Sequence, residues 1–176
     1  MTERAHDLLR QHLTRMTRTA DDLAAAIGGH GVAVLVRRPD RTSWAPTEII
    51  CHLRDLEEMA LLRLELIAAV DEPLIPAAGM GSRALGLTPA GHPAAPDRWA
   101  SDRQYLRNDA REALEAFRTR RAEVLAHLGN LTGAEWRRGG LHPRLGRVSV
   151  EDIVAELARH DDVHLDQLRR ALDGQA

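Results

Sequence analysis

Apolar residues recur at helical spacing in four segments of this chain. In the first, about Thr2 to Ile27, the residues Leu9, Leu13, Met16, Ala20, Leu23 and Ile27 advance by alternating steps of four and three. That places them on one face of a helix, and Gly28-Gly29 ends it. The second segment runs from about Pro46 to Val70, with an inner face of Ile49, Leu53, Leu56, Ala60, Leu64 and Ile67. Pro46 suits the first helical position and Glu48 the third, while Trp44 and Ile49 have the spacing of a hydrophobic staple. Ala45, at the capping position, has no side-chain acceptor.

The third segment is read from about Ser101 to Gly129, with Ser101 and Gln104 as a capping-box pattern and a stripe of Leu106, Ala110, Ala113, Phe117, Val124 and Leu128. The fourth runs from about Ser149 to Leu172, with Ser149 as cap and a Val148–Ile153 staple; a short helical turn near Gly133–Arg137 precedes it. Helices of about 25 residues are roughly 37 Å long. Four of them, each with one apolar face, predict an all-α, single-domain four-helix bundle spanning residues 1–176. Between the second and third lies Asp71–Ala100, which holds Gly79, Gly81, Gly86, Gly91 and five of the eight prolines. A connection this long crosses over the bundle or covers a site. VAVLV (Val32–Val36) reads as a short strand or an apolar connector.

The stripe of the last helix is Val150, Ile153, Leu157, His160, His164, Leu168, Leu172. Two histidines therefore stand in the middle of the core face, one turn apart and pointing the same way. An unpartnered polar group there costs on the order of 2–7 kcal/mol, so a partner is expected. A hydrogen bond would suffice for one histidine; two neighbouring imidazoles suit a metal. His52, between Ile49 and Leu56 on the second helix, also faces inward. His52, His160 and His164 form a three-nitrogen ligand set, which leaves coordination positions open. Zn²⁺ fits, and Ni²⁺, Mn²⁺ and Fe²⁺ also accept imidazole.

Candidates to orient these rings are Asp55, Glu48 and Glu156, with a solvated helix face as the competing reading. Asp161 follows His160 directly and points about 100° away from it. His142, in the loop before the last helix, either approaches the site or serves the loop. Arg121 falls on the inner stripe of the third helix, where it snorkels or binds a substrate carboxylate. Cys51 reads as a buried structural thiol, and Trp44 and Trp136 as core packing. His6, His12, His30, His92 and His127 show no ligand spacing.

Composition narrows the chemistry. All 24 basic residues are Arg, so mechanisms that need a lysine are excluded. The net charge of −2 gives nucleic-acid binding no support. One Cys rules out an internal disulfide. No apolar run reaches the ~18 residues of a membrane span, and the charged N-terminus lacks a signal-peptide core, so the expected location is the cytoplasm.

The segment WAPTEIICHLRDLE (Trp44–Glu57) resembles the W-S-x-x-E-x-x-x-H-L-x-D motif of the DinB-like superfamily, and HPRLGRVSVEDIVAELARHDDVHLDQLRR (His142–Arg170) is similar to its H-P-x-x-G…H-D-x-x-H-x-x-Q ending. Tyr105–Trp136 resembles the family's middle segment. The resemblance implies an up-down-down-up bundle, which accounts for the long second connection, and a metal held by histidines matching His52, His160 and His164. It also implies activities ranging from metal-dependent hydrolysis to S-transfer of low-molecular-weight thiols. Ala45 departs from the family's Ser, at an expected cost of about 1 kcal/mol of helix capping. The leading expectation is a metal-dependent enzyme acting on a small molecule, with a homodimer compatible. The alternatives are a non-catalytic, stress-associated bundle that binds a metal or ligand, and an interaction module without metal.

Overall fold

The computed structural model describes residues 3–76 and 96–176. Most of the long connection, including Gly79, Gly81, Gly86, Gly91 and His92, lies outside the described residues. In chain order the elements are α1 (Glu3–Ile27), the one-turn α2 (Val32–Leu35), α3 (Pro46–Ala69), α4 (Pro96–Asp102), α5 (Ala110–Gly129), a hairpin of β1 (Gly139–His142) and β2 (Gly146–Ser149), and α6 (Val150–Leu172). Single 3₁₀ turns at Tyr105–Arg107 and Glu135–Arg137 precede α5 and β1. The long helices α1, α3, α5 and α6 form the bundle: α1 and α3 each pack against both α5 and α6. Among the described residues, no helix is long and apolar enough to cross a membrane.

The stripes bury as their periodicity predicts. One apolar cluster gathers Leu23, Ile49, Leu53, Phe117 and Leu168; a second gathers Met16, Leu64, Val124, Ile153 and Leu157. Each fully buried side chain of this size contributes about 1.5–3 kcal/mol relative to exposure. Ser149 caps α6 through the Asp152 N–H, and Asp152 accepts from the Ser149 backbone in return. Ala45 offers no side chain to α3, but Glu48 still accepts from the Ala45 N–H at 2.9 Å, so half of a capping box survives.

Three expectations are corrected. The third bundle helix starts at Ala110, not Ser101. Asp109 is its cap, accepting from the N–H groups of Arg111 and Glu112. Gln104 is left-handed, at φ 49°, and Asn108 is extended, so the helix cannot run continuously from Ser101. Leu106 is accordingly exposed rather than on the stripe. Val32–Leu35 is a turn of helix, neither strand nor connector, and it buries Leu35 against the first cluster.

The third correction is the hairpin, where a loop was read. β1 and β2 pair antiparallel, and Leu141 also exchanges backbone hydrogen bonds with Pro73 and Ile75. The segment after α3 is thereby stitched beside β1. Gly140 permits that approach, because a β-carbon there would lie 2.5 Å from Ile75 and 2.7 Å from the Pro73 carbonyl. Gly146, at φ 74°, turns the hairpin.

Candidate metal centre

His52 stands on the second turn of α3; His160 and His164 stand one turn apart on α6. Their Nε2 atoms converge: His160 Nε2 lies 3.3 Å from that of His52 and 3.0 Å from that of His164. Among the described residues this is the one group of His, Cys, Asp or Glu side chains whose geometry suits a metal ion. His52 is buried, whereas His160 and His164 are half-buried. The seam of α6 thus opens at the histidines instead of closing over them. Burial, with the neighbouring rings second, holds His52 down to about 3 and His160 to about 2; burial also lowers His164. All three are neutral near pH 7.

The protons on these rings show what the cluster lacks. Gln167 Oε1 accepts from His164 Nδ1 at 2.7 Å, so the proton of that ring is on Nδ1 and its Nε2 is a bare lone pair. A proton on His160 Nε2 can serve one neighbour but not both. The buried Nδ1 of His52 has no hydrogen-bond partner either. Protons cannot satisfy three Nε2 atoms this close, whereas a cation shared among the lone pairs satisfies them all. The donor set fits a divalent metal.

Trp44 walls the cluster, its ring centroid 4.9 Å from that of His52 and stacked at 6.3 Å over His164. On the other side a cavity of about 820 Å³ is lined by His52 and His160, by Leu56, Met59 and Arg63 of α3, by Ile75, and by His142. His142 lies on β1, and its Nδ1 accepts from the N–H groups of Arg144 and Leu145. Its proton is therefore on Nε2. Burial, and then the charges of Arg63 and Arg144, lower its basicity.

The other candidates are placed elsewhere. Glu48 pairs with Arg38 at the start of α3. Asp55 accepts from Tyr105 Oη at 2.8 Å and pairs with Arg54, Arg103 and Arg120, fastening the segment before α5 to α3. Glu156 is at the cavity but exposed, and pairs with Arg159. Arg121 neither snorkels nor faces the cavity. It is buried and donates to Glu57, Asp161 and the Met16 carbonyl. Asp161 is buried with it. Cys51 is fully buried, and burial pushes its thiol up to about 12. Gln167, Trp44 and Arg63 were not read as site residues. The signal for Gln167 was its i+3 spacing from His164; for Arg63, its place eleven residues beyond His52 on the same face.

The model of the DinB superfamily matches residues 2–168. The chain belongs to the DinB superfamily. In fold it is similar to YfiT from Bacillus subtilis, described as "a probable metal-dependent hydrolase with an unusual four-helix bundle topology". That match has a TM-score of 0.79 at 15% identity and covers 100% of this chain and 91% of the other. It is also similar to a mycothiol-dependent maleylpyruvate isomerase, with a TM-score of 0.68 at 13% identity, covering 96% of this chain and 63% of that one. No curated protein sequence matches.

Proposed function

We propose that this DinB-superfamily chain is a metal-dependent enzyme in which His52, His160 and His164 hold one divalent ion, and the adjoining cavity takes a small substrate. The observation that carries this reading is the convergence of three neutral imidazoles beside a roomy cavity. Three protein ligands leave positions open for a reactant. A bound divalent ion would supply a Lewis acid that turns water, or a low-molecular-weight thiol, into a nucleophile near neutral pH.

The chain's own residues do the rest. Gln167 fixes the His164 tautomer. Trp44 closes one side of the cluster against water. His142, neutral with its proton on Nε2, is a hydrogen-bond donor for an oxygen on the substrate rather than a base. Hydrolysis and thiol transfer both suit this arrangement; the similarity to a mycothiol-dependent isomerase is what brings in the thiol.

The deciding experiment is elemental analysis of protein purified without an affinity tag. Close to one Zn, Ni, Mn or Fe per chain is expected, lost in His160→Ala. Less than about 0.2 per chain, unchanged in that variant, would overturn the reading. The loaded protein is then screened with thiols against epoxides and haloaromatics, and with esters in the absence of thiol. Metal without turnover in any pairing would favour a non-catalytic binding bundle.

A further inference from the structure

We infer that the cavity takes an elongated substrate ending in a carboxylate, and that Arg63 receives that end. The inference rests on the metal-centre reading for where reaction occurs, but the evidence for Arg63 is separate. Arg63 shares the cavity-lining face of α3 with His52, Leu56 and Met59. Its Nε donates to the Pro76 carbonyl at 2.9 Å, which orients the guanidinium. Among the described residues its two Nη groups make no hydrogen bond or ion pair, although the side chain is only half-exposed. The carboxylates lining the same cavity are already engaged: Asp152 with the Ser149 N–H and hydroxyl, Glu156 with Arg159.

An arginine held by Nε alone presents its remaining N–H groups as a planar fork, the geometry that a carboxylate meets with two parallel hydrogen bonds. Arg63 follows His52 by eleven residues, which is three turns and roughly 16 Å along the helix axis. The wall between them is apolar, with Leu56, Met59, Ile75 and Leu157. A compact acid cannot touch both ends. The substrate has its reacting atom at the histidines, an apolar middle, and an anionic terminus on Arg63.

The probes are octanoate and its neutral counterpart octanamide, with binding measured by calorimetry on the full chain. Octanoate should bind at least about tenfold more tightly than octanamide, in keeping with one charged, bidentate contact. Arg63→Gln should remove that preference without changing metal content. Arg63→Lys, which keeps the charge and loses the fork, should retain part of it. The preference should persist in His160→Ala, because the carboxylate sits on Arg63 rather than on the metal. Equal binding of the two probes, no binding of octanoate, a preference untouched in Arg63→Gln, or a preference lost in His160→Ala would each overturn the inference. Wild-type protein without metal that still prefers octanoate through Arg63 would sink the metal reading alone. Metal-loaded protein with no preference would sink this inference alone.

Discussion

Two polar clusters interrupt the interior of the bundle, and they are built on opposite principles. The first is a layer across all four helices between the two apolar clusters, made of Thr19 on α1, Glu57 on α3, Arg121 on α5 and Asp161 on α6. Every Arg121 N–H has an acceptor: Nε and Nη2 reach Glu57, Nη1 and Nη2 reach Asp161, and Nη1 also reaches the Met16 carbonyl. Thr19 adds a 2.6 Å bond to Asp161. The second cluster is the three histidines, one residue away from Asp161 along α6. It is neutral, short of protons, and open to a cavity. A buried polar layer that satisfies itself needs no ligand, whereas three lone pairs gathered beside a cavity have the geometry to take one.

The difference is broken most severely by Arg121→Met. It leaves the Glu57 and Asp161 carboxylates buried without their cation, and such a loss costs about 3–5 kcal/mol. For a chain of this size that lowers Tm by roughly 6–20 °C. Thermal unfolding of metal-free protein measures it. Replacing Arg121, Glu57 and Asp161 together by apolar residues of similar volume should recover most of the loss, because no charge is then left unpaired. A single variant within about 1 kcal/mol of wild type would show that the layer does not hold the bundle together.

Acidification should act on the other cluster. His52 and His160 are held near 3 and 2 in the folded chain, against about 6.5 when unfolded. Below pH 6.5 the unfolded chain binds protons that the folded chain refuses. Stability is therefore complete above that pH and falls as pH drops toward 3. The slope is about 1.4 kcal/mol per pH unit for each such histidine, or roughly 2 kcal/mol between pH 6.5 and 5. Urea unfolding of metal-free protein across that range should show it, and His160→Ala should remove one histidine's share. A flat profile would mean that the rings are solvated.

The two clusters were unequally legible in the sequence. The histidines announced themselves because His160 and His164 break an apolar stripe at i and i+4, a local pattern that one helix displays alone. The layer did not. Glu57 and Asp161 lie 64 and 40 residues from Arg121, so only the assembled bundle brings them together. Asp161 read only as pointing away from His160, and Arg121 as snorkelling or meeting a substrate carboxylate, for want of that partner. The same limit applies to the elements. The starts of α3 and α6 were legible from Pro46, Glu48 and Ser149. The start of α5 was misplaced because Ser101 and Gln104 imitate a capping box, whereas Asp109 makes the actual cap. The hairpin went unread because four-residue strands such as Gly139–His142 are too short for an alternating pattern, and Leu141 takes its second set of partners from beyond α3.

Gln167→Ala tests whether the support around the histidines matters to the metal and not to the fold. Gln167 meets the cluster through its hydrogen bond with His164 Nδ1. Losing such a bond to a metal-ligating histidine weakens metal affinity by about 10-fold or more. Competition with a chromogenic chelator should show that loss, while the metal-free Tm stays near wild type. A metal affinity equal to wild type would reduce Gln167 to a surface residue.

The smallest expected effect is the most telling. In metal-free protein His160→Ala should change unfolding free energy by less than about 1 kcal/mol, well below the 2–5 kcal/mol of an ordinary core truncation. The reason lies in the protons. His160 Nε2 faces two other Nε2 atoms, at 3.3 and 3.0 Å, and can donate to one of them at most. Removing the ring relieves a crowding of lone pairs as well as deleting contacts, and the ring is only half-buried to begin with. With metal added the balance should reverse. Wild type should gain stability in proportion to the logarithm of metal over its dissociation constant, and the variant should not. A large cost in the metal-free state would mean that the imidazoles are satisfied as they stand. The histidines would then belong with Arg121 as structure, and the contrast between the two clusters would be lost.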